Sequence, residues 1–168
     1  MSINKVIEEA WLTAMNDPFY LVSEKLKKLE LNTSQKARVY CEVFLQTCLE
    51  NQNNEKLYDF WCNFDCVSFP ENFDIGSCVF NFFKNHTEEI KSDYMAFRVM
   101  DWIGSFRSKE VADYFELIFE NYKHSPLYEN LATGINHYLF VEYSWEAAPE
   151  DQARIRRLYE KIKASREK

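Results

Sequence analysis

Apolar residues recur along this chain with a helical period. Ile3, Val6, Ile7, Ala10, Trp11 and Ala14 share one face at i, i+3, i+4 spacing, and Ser2 stands where an N-cap belongs. Asn16-Asp17-Pro18 breaks this helix and restarts the chain, with Asp17 as a cap and Pro18 at the first helical position of a second helix ending near Leu29. A third helix starts after Asn32 or Thr33 and carries Ala37, Tyr40, Cys41, Phe44, Leu45 and Cys48 on one face. Asn51 to Asn54 is a polar turn, and Leu57, Phe60, Trp61 and Phe64 mark a short fourth helix. Val67-Ser68-Phe69-Pro70 is the least helical segment, after which Phe73, Cys78, Val79, Phe82 and Phe83 turn inward on a fifth helix.

Beyond the turn at Asn85-His86-Thr87, a sixth helix carries Ile90, Tyr94, Phe97 and Ile103, with Gly104 as its expected C-cap and Ser92-Asp93 as a point where it could split. Ser108 caps a seventh helix whose inward set is Val111, Phe115, Ile118, Phe119 and Tyr122. Ser125-Pro126 opens an eighth helix running to about Phe140, and Pro149 opens a ninth with Ala153, Ile155, Leu158 and Ile162 apolar. No segment alternates with the period of two that a strand needs. The pattern predicts an all-α fold of eight to nine helices in a single domain over residues 1–168. Stacked helix hairpins and an irregular bundle both fit it. The hairpins start near residues 2, 33, 70 and 108, a spacing like that of helical repeats, yet no repeat signature accompanies it. Trp11, Phe44, Trp61, Phe82, Phe115 and Ile118 are the expected core.

Composition supports a folded chain. Apolar residues make up 46% and aromatics 17% of 168 residues, which excludes intrinsic disorder despite a net charge of −7. The 14 Phe, 10 Tyr and 4 Trp exceed what a core of this size obviously needs, so some Tyr and Trp are expected at a contact surface. The N-terminus carries charges where a signal peptide needs an apolar core, and no stretch reaches membrane-spanning length, so a cytoplasmic location is expected. The five cysteines (41, 48, 62, 66, 78) are odd in number and sit in apolar patterns; reduced, buried thiols are expected.

Charge is unevenly distributed. Residues 1–48 are neutral, residues 49–151 carry net −12, and residues 152–168 carry net +5, the last forming a basic C-terminal helix at about 149–166. An acidic body disfavours nucleic acid and anionic membranes as partners. Three glycines cannot form a phosphate-cradling loop, and neither His-Glu-x-x-His nor Glu-x-x-His occurs. Gly134, inside a helix, suits close helix approach. Cys62 and Cys66 have the wrong spacing for a zinc knuckle, and Glu120 with His124 at i, i+4 reads as a local pair at a helix end. No metal, no cofactor and no catalytic constellation are therefore expected.

The carboxylates are the strongest functional signal. Asp113, Glu116 and Glu120 fall at i, i+3, i+7 on the seventh helix, and Glu110 extends the line. Asp93 and Asp101 precede this stripe, while Glu129, Glu142, Glu146, Glu150 and Asp151 follow it. Tyr94, Tyr114, Tyr128, Tyr143 and Trp145 are interleaved with these acids. Two readings stand: a solvated face or one covered by the basic last helix, and an acidic platform for a cationic partner built from Glu110, Asp113, Tyr114, Glu116, Glu120, Asp101, Trp145 and Glu146.

In size, acidity, aromatic content and the lack of catalytic motif or export signal, the whole chain resembles the small acidic helical immunity proteins of bacterial toxin–immunity systems. That resemblance implies a cytoplasmic antitoxin that binds a basic toxin, in type a nuclease encoded by the adjacent gene, and covers its active surface. A carboxylate surface suits this role because nuclease sites are cationic for phosphate. The alternative class is a helical-repeat adaptor that holds peptides or proteins in a groove; an enzyme using paired carboxylates would need a pocket.

Overall fold

In a computed structural model of the protein, residues 1–106, 108–140 and 147–167 are described. Among them stand ten α-helices and no strand, so the all-α expectation holds. The contacts gather into two units, 1–85 and 86–168, each treated by itself below.

The first unit contains α1 (Ile3–Asn16), α2 (Tyr20–Leu26), α3 (Ser34–Glu50), α4 (Leu57–Trp61) and α5 (Ile75–Asn85). The starts of α1 and α3 follow from local chemistry: the Ser2 hydroxyl accepts the Lys5 N–H at 3.3 Å, and the Thr33 hydroxyl accepts the Lys36 N–H at 3.2 Å. At α5, the Asp74 carboxylate accepts the Ser77 N–H at 2.9 Å and its hydroxyl at 2.6 Å. Asp17 does not cap α2 as expected. It closes α1 instead, donating its N–H to the Thr13 carbonyl, and α2 begins at Tyr20 without a side-chain cap.

The core of this unit is aromatic. Phe44 and Phe60 stack at 4.2 Å, Trp11 and Phe64 meet this pair edge-on at 5.2 Å, and the buried Tyr40 donates its hydroxyl to the Phe64 carbonyl at 2.8 Å. Trp61 lies against Phe83, and Phe69 against Phe73. The aromatic surplus in the composition is thus largely a way of filling space between short helices. Trp11 stays half-buried, while Phe44, Trp61 and Phe82 are buried. Of the thiols, only Cys41 and Cys48 are buried as expected: Cys66 and Cys78 are half-buried, and Cys62, at the end of α4, is exposed.

The second unit contains a 3₁₀ turn (Thr87–Glu89), α6 (Asp93–Ser105), α7 (Lys109–Asn121), α8 (Pro126–Glu129), α9 (Leu131–Phe140) and α10 (Pro149–Arg166). Ser92, Ser108 and Ser125 each accept the N–H three residues on, at 3.0, 3.3 and 3.3 Å, and so fix the starts of α6, α7 and α8. Two expectations change here. The helix expected from Pro126 to Phe140 breaks at Asn130, whose side-chain amide donates to the Pro126 carbonyl, raising the count to ten. Gly104 is not a C-cap; Phe106 is. Gly104 instead faces Gly134 where α6 crosses α9: a Cβ at Gly104 would collide with the Gly134 carbonyl oxygen and lie 2.9 Å from its Cα. The two helices approach to backbone contact, burying Met100, Ile103, Leu131, Ile135 and Tyr138. Phe115 and Ile118, both buried, bring α7 to the same core.

The basic α10 packs on α7 and α9 through Ile155, Leu158 and Ile162. Glu150 and Asp151 lie in its first turn and Lys163 and Arg166 in its last, the order the helix dipole favours. No helix among the described residues is long and apolar enough to cross a membrane.

Candidate functional site: the acidic face of α7 and its basic partner helix

The acidic stripe and the basic last helix meet. Arg154, on the second turn of α10, reaches α7 and forks Glu116, with Nε donating to Oε1 at 3.2 Å and Nη2 to Oε2 at 2.8 Å. Nη2 also donates to Asp113 Oδ1 at 2.6 Å, and Nη1 to Asp151 Oδ1 at 3.2 Å. Three carboxylates from two helices therefore converge on one planar cation, a geometry that Arg fits and Lys does not. The Arg154 side chain is 23% exposed, and Glu116 and Asp113 beside it hold its guanidinium above the ordinary arginine range. The ninth-helix cover weighed from the sequence is realised at Asp113 and Glu116. Repulsion along the stripe is answered inside the unit.

The two ends of the stripe are different. Glu110, in the first turn of α7, and Glu120, in its last, are exposed and make no ion pair among the described residues. Glu120 borders a cleft of about 150 Å³ with Arg157 and Lys161, and a broader groove of about 560 Å³ with Glu88, Lys91, Tyr122 and His124. The expected Glu120–His124 pair is not made, because α7 ends at Asn121 and His124 leaves the helical register.

Other candidate residues fall elsewhere. Tyr114 is buried at 2% exposure, and its hydroxyl lies 3.0 Å from the Thr87 hydroxyl, with burial raising its pKa to about 12. It is one residue from Asp113, hence about 100° around the helix from the stripe, and belongs to the core rather than to a contact surface. Asp101 accepts from His137 Nε2 at 2.8 Å, which ties α6 to α9. Tyr94 stacks under the Arg98 guanidinium at 5.4 Å, and Tyr128 on Phe119 at 5.9 Å, so both rings make internal contacts. Trp145 and Glu146, with Glu142 and Tyr143, lie outside the described residues. No group of three or more His, Cys, Asp or Glu among the described residues is placed to hold a metal ion.

Arg154 is the residue that sequence reasoning missed, and Asp151, read only as part of the acidic bias, joins it as a partner. Arg154 looked like one of seven interchangeable cations, and only the packing of α10 on α7 singles it out. Comparison with known proteins finds no matching family model, no matching curated relative and no matching solved structure.

Proposed function

We propose that this chain is a protein-binding inhibitor of the immunity type, which captures a basic toxin in the cytoplasm and blocks its active surface without catalysing a reaction. The observation that supports this reading is the division of labour along α7. Asp113 and Glu116 are held by Arg154, while Glu110 and Glu120 are exposed at the two ends and make no ion pair among the described residues. The contact surface is accordingly the outer ends of the stripe rather than its centre. Exposed charges of this kind steer encounter and fix orientation, and their effect fades as salt screens them.

The test is capture of the product of the adjacent gene, followed by titration at low and high salt. Glu110→Lys with Glu120→Lys should slow association while the chain keeps its melting temperature. A neighbouring product that is neither basic nor bound removes the immunity reading.

A helical adaptor is the second reading, favoured by one observation. Leu12, Met15, Phe19 and Tyr20 are all exposed along the end of α1 and the start of α2. Binding lost on Leu12→Ser with Phe19→Ser, and unaffected by the α7 charges, would favour the adaptor.

A further inference from the structure

A cavity of about 450 Å³ opens in the first unit, lined by the start of α1, the end of α2 and the start of α3. Its wall is cationic. Lys25, half-buried on α2, Lys28, just past the end of α2, and Lys36, in the first turn of α3, all line it. Lys25 and Lys28 make no ion pair among the described residues. The Lys36 ammonium donates to the neutral side-chain carbonyl of Asn32 at 2.9 Å, so its charge is not answered there. Ser2 and Ile3, the N-cap and first residue of α1, line the same cavity, and neither α1 nor α3 has an acidic residue in its first turn to offset the positive end of its dipole. Ile3, Val6 and Leu29 supply an apolar surface, and the carboxylates of Glu9 and Glu30 complete the lining.

We propose that this cavity binds a small soluble phosphate monoester of a polyol, with the phosphate held by Lys25, Lys28 and Lys36 and the hydroxyls donating to Glu9 and Glu30. The site lies in the first unit and does not rest on the binding reading above.

The lining selects the ligand class. Lysine holds phosphate as a point charge, and three lysines suit a dianion better than a lone carboxylate. The volume falls within the range of about 300–1,000 Å³ typical of small-molecule pockets and leaves room for an organic body beside the phosphate. No aromatic side chain lines the cavity, so a nucleobase would have nothing to stack on. Five charged side chains interrupt the apolar surface, which leaves no continuous channel for an acyl chain. Glu9 and Glu30 repel a bare anion and reward one that carries hydroxyl donors, since a carboxylate only accepts.

The experiment titrates the full chain with glycerol 3-phosphate, inorganic phosphate and sulfate by isothermal calorimetry at constant ionic strength, with the melting temperature followed alongside. Glycerol 3-phosphate should bind at a single site, raise the melting temperature and bind about tenfold more tightly than inorganic phosphate or sulfate. Lys28→Met and Lys36→Met, both at exposed positions, should each weaken the ester about tenfold without changing the melting temperature of the free chain. Lys27→Met should bind as the wild type does, because Lys27 does not line the cavity and pairs with Glu24. Glu9→Ala should lower the preference for the ester over inorganic phosphate. Sulfate binding as tightly as the ester, no binding of any of the three, or equal losses in Lys27→Met and Lys28→Met would overturn the proposal. So would binding to vesicles of phosphatidylcholine and phosphatidic acid with none to the soluble ester.

Discussion

Gly104→Ala sets two opposed effects against each other. Inside a helix, replacing Gly by Ala gains about 1 kcal/mol of propensity. At this position the added methyl meets the Gly134 carbonyl oxygen, and it lies 2.9 Å from both the Gly134 carbonyl carbon and Cα. Ordinary carbon contacts lie at about 3.5–4.0 Å, so α6 and α9 must separate by several tenths of an ångström or more. The obstructing atoms are backbone and have no rotamer to adopt. Overpacking of a tight core costs about 1–3 kcal/mol, and occasionally more. A backbone obstacle puts Gly104 at the upper end, for a net loss of about 2 kcal/mol. For a chain of 168 residues this lowers the melting temperature by about 4–8 °C. Gly134→Ala meets mainly the Phe115 ring edge at 2.8 Å, which has some freedom to move, so its loss should be smaller. Thermal unfolding followed by circular dichroism measures both. A Gly104→Ala protein that melts at or above the wild-type temperature would refute the close-approach argument and leave only propensity.

Three further outcomes follow from the packing and the charges. Arg154→Ala leaves Asp113, Glu116 and the largely buried Asp151 without their shared cation and should cost about 1–2 kcal/mol in denaturant titration, with Arg154→Lys recovering only part, because an ammonium cannot fork Glu116; equal stability of all three proteins would show that the cluster contributes nothing. Ser77 holds Asp74 below the usual carboxylate range, so its contribution is full above the unfolded pKa of about 4 and is lost as pH falls through the lower folded value. Asp74→Ala should therefore be less stable by about 1 kcal/mol at pH 7, and the difference should close in acid; a difference independent of pH would contradict the cap. Phe115→Ala removes a fully buried ring at the α6–α7–α9 core and should cost about 3–5 kcal/mol, and an unchanged melting curve would place that ring at the surface.

The helices were legible because their ends are written locally. Ser2, Thr33, Ser108 and Ser125 each act within three residues of chain, and the apolar stripes of α3 and α7 point at the core as their spacing demands. What escaped depends on contacts distant in sequence. Gly104 reads locally as a helix end; its partner Gly134 is 30 residues away, and only the α6–α9 crossing shows why a side chain is forbidden there. Tyr114 sits among acids in sequence, yet one step around the helix turns it from the acidic face into the core. Cover of the acidic stripe by the basic last segment was among the readings, but nothing local marks which of its seven cations makes the contact. Folding shows that Arg154, at least, faces inward to α7. The structure pairs Asp113 and Glu116 with Arg154 and leaves Glu110 and Glu120 exposed, a division that spacing along α7 does not show.

The most direct test of the binding account compares two double variants against the basic product of the adjacent gene, by surface-immobilised association kinetics at low and high salt. The account predicts that Glu110→Lys with Glu120→Lys slows association at low salt with little change in melting temperature. It also predicts that Asp113→Asn with Glu116→Asn lowers the melting temperature, by disarming Arg154, while leaving association close to wild type. Association lost only when Asp113 and Glu116 are changed, or a neighbouring product that does not bind at all, would contradict it.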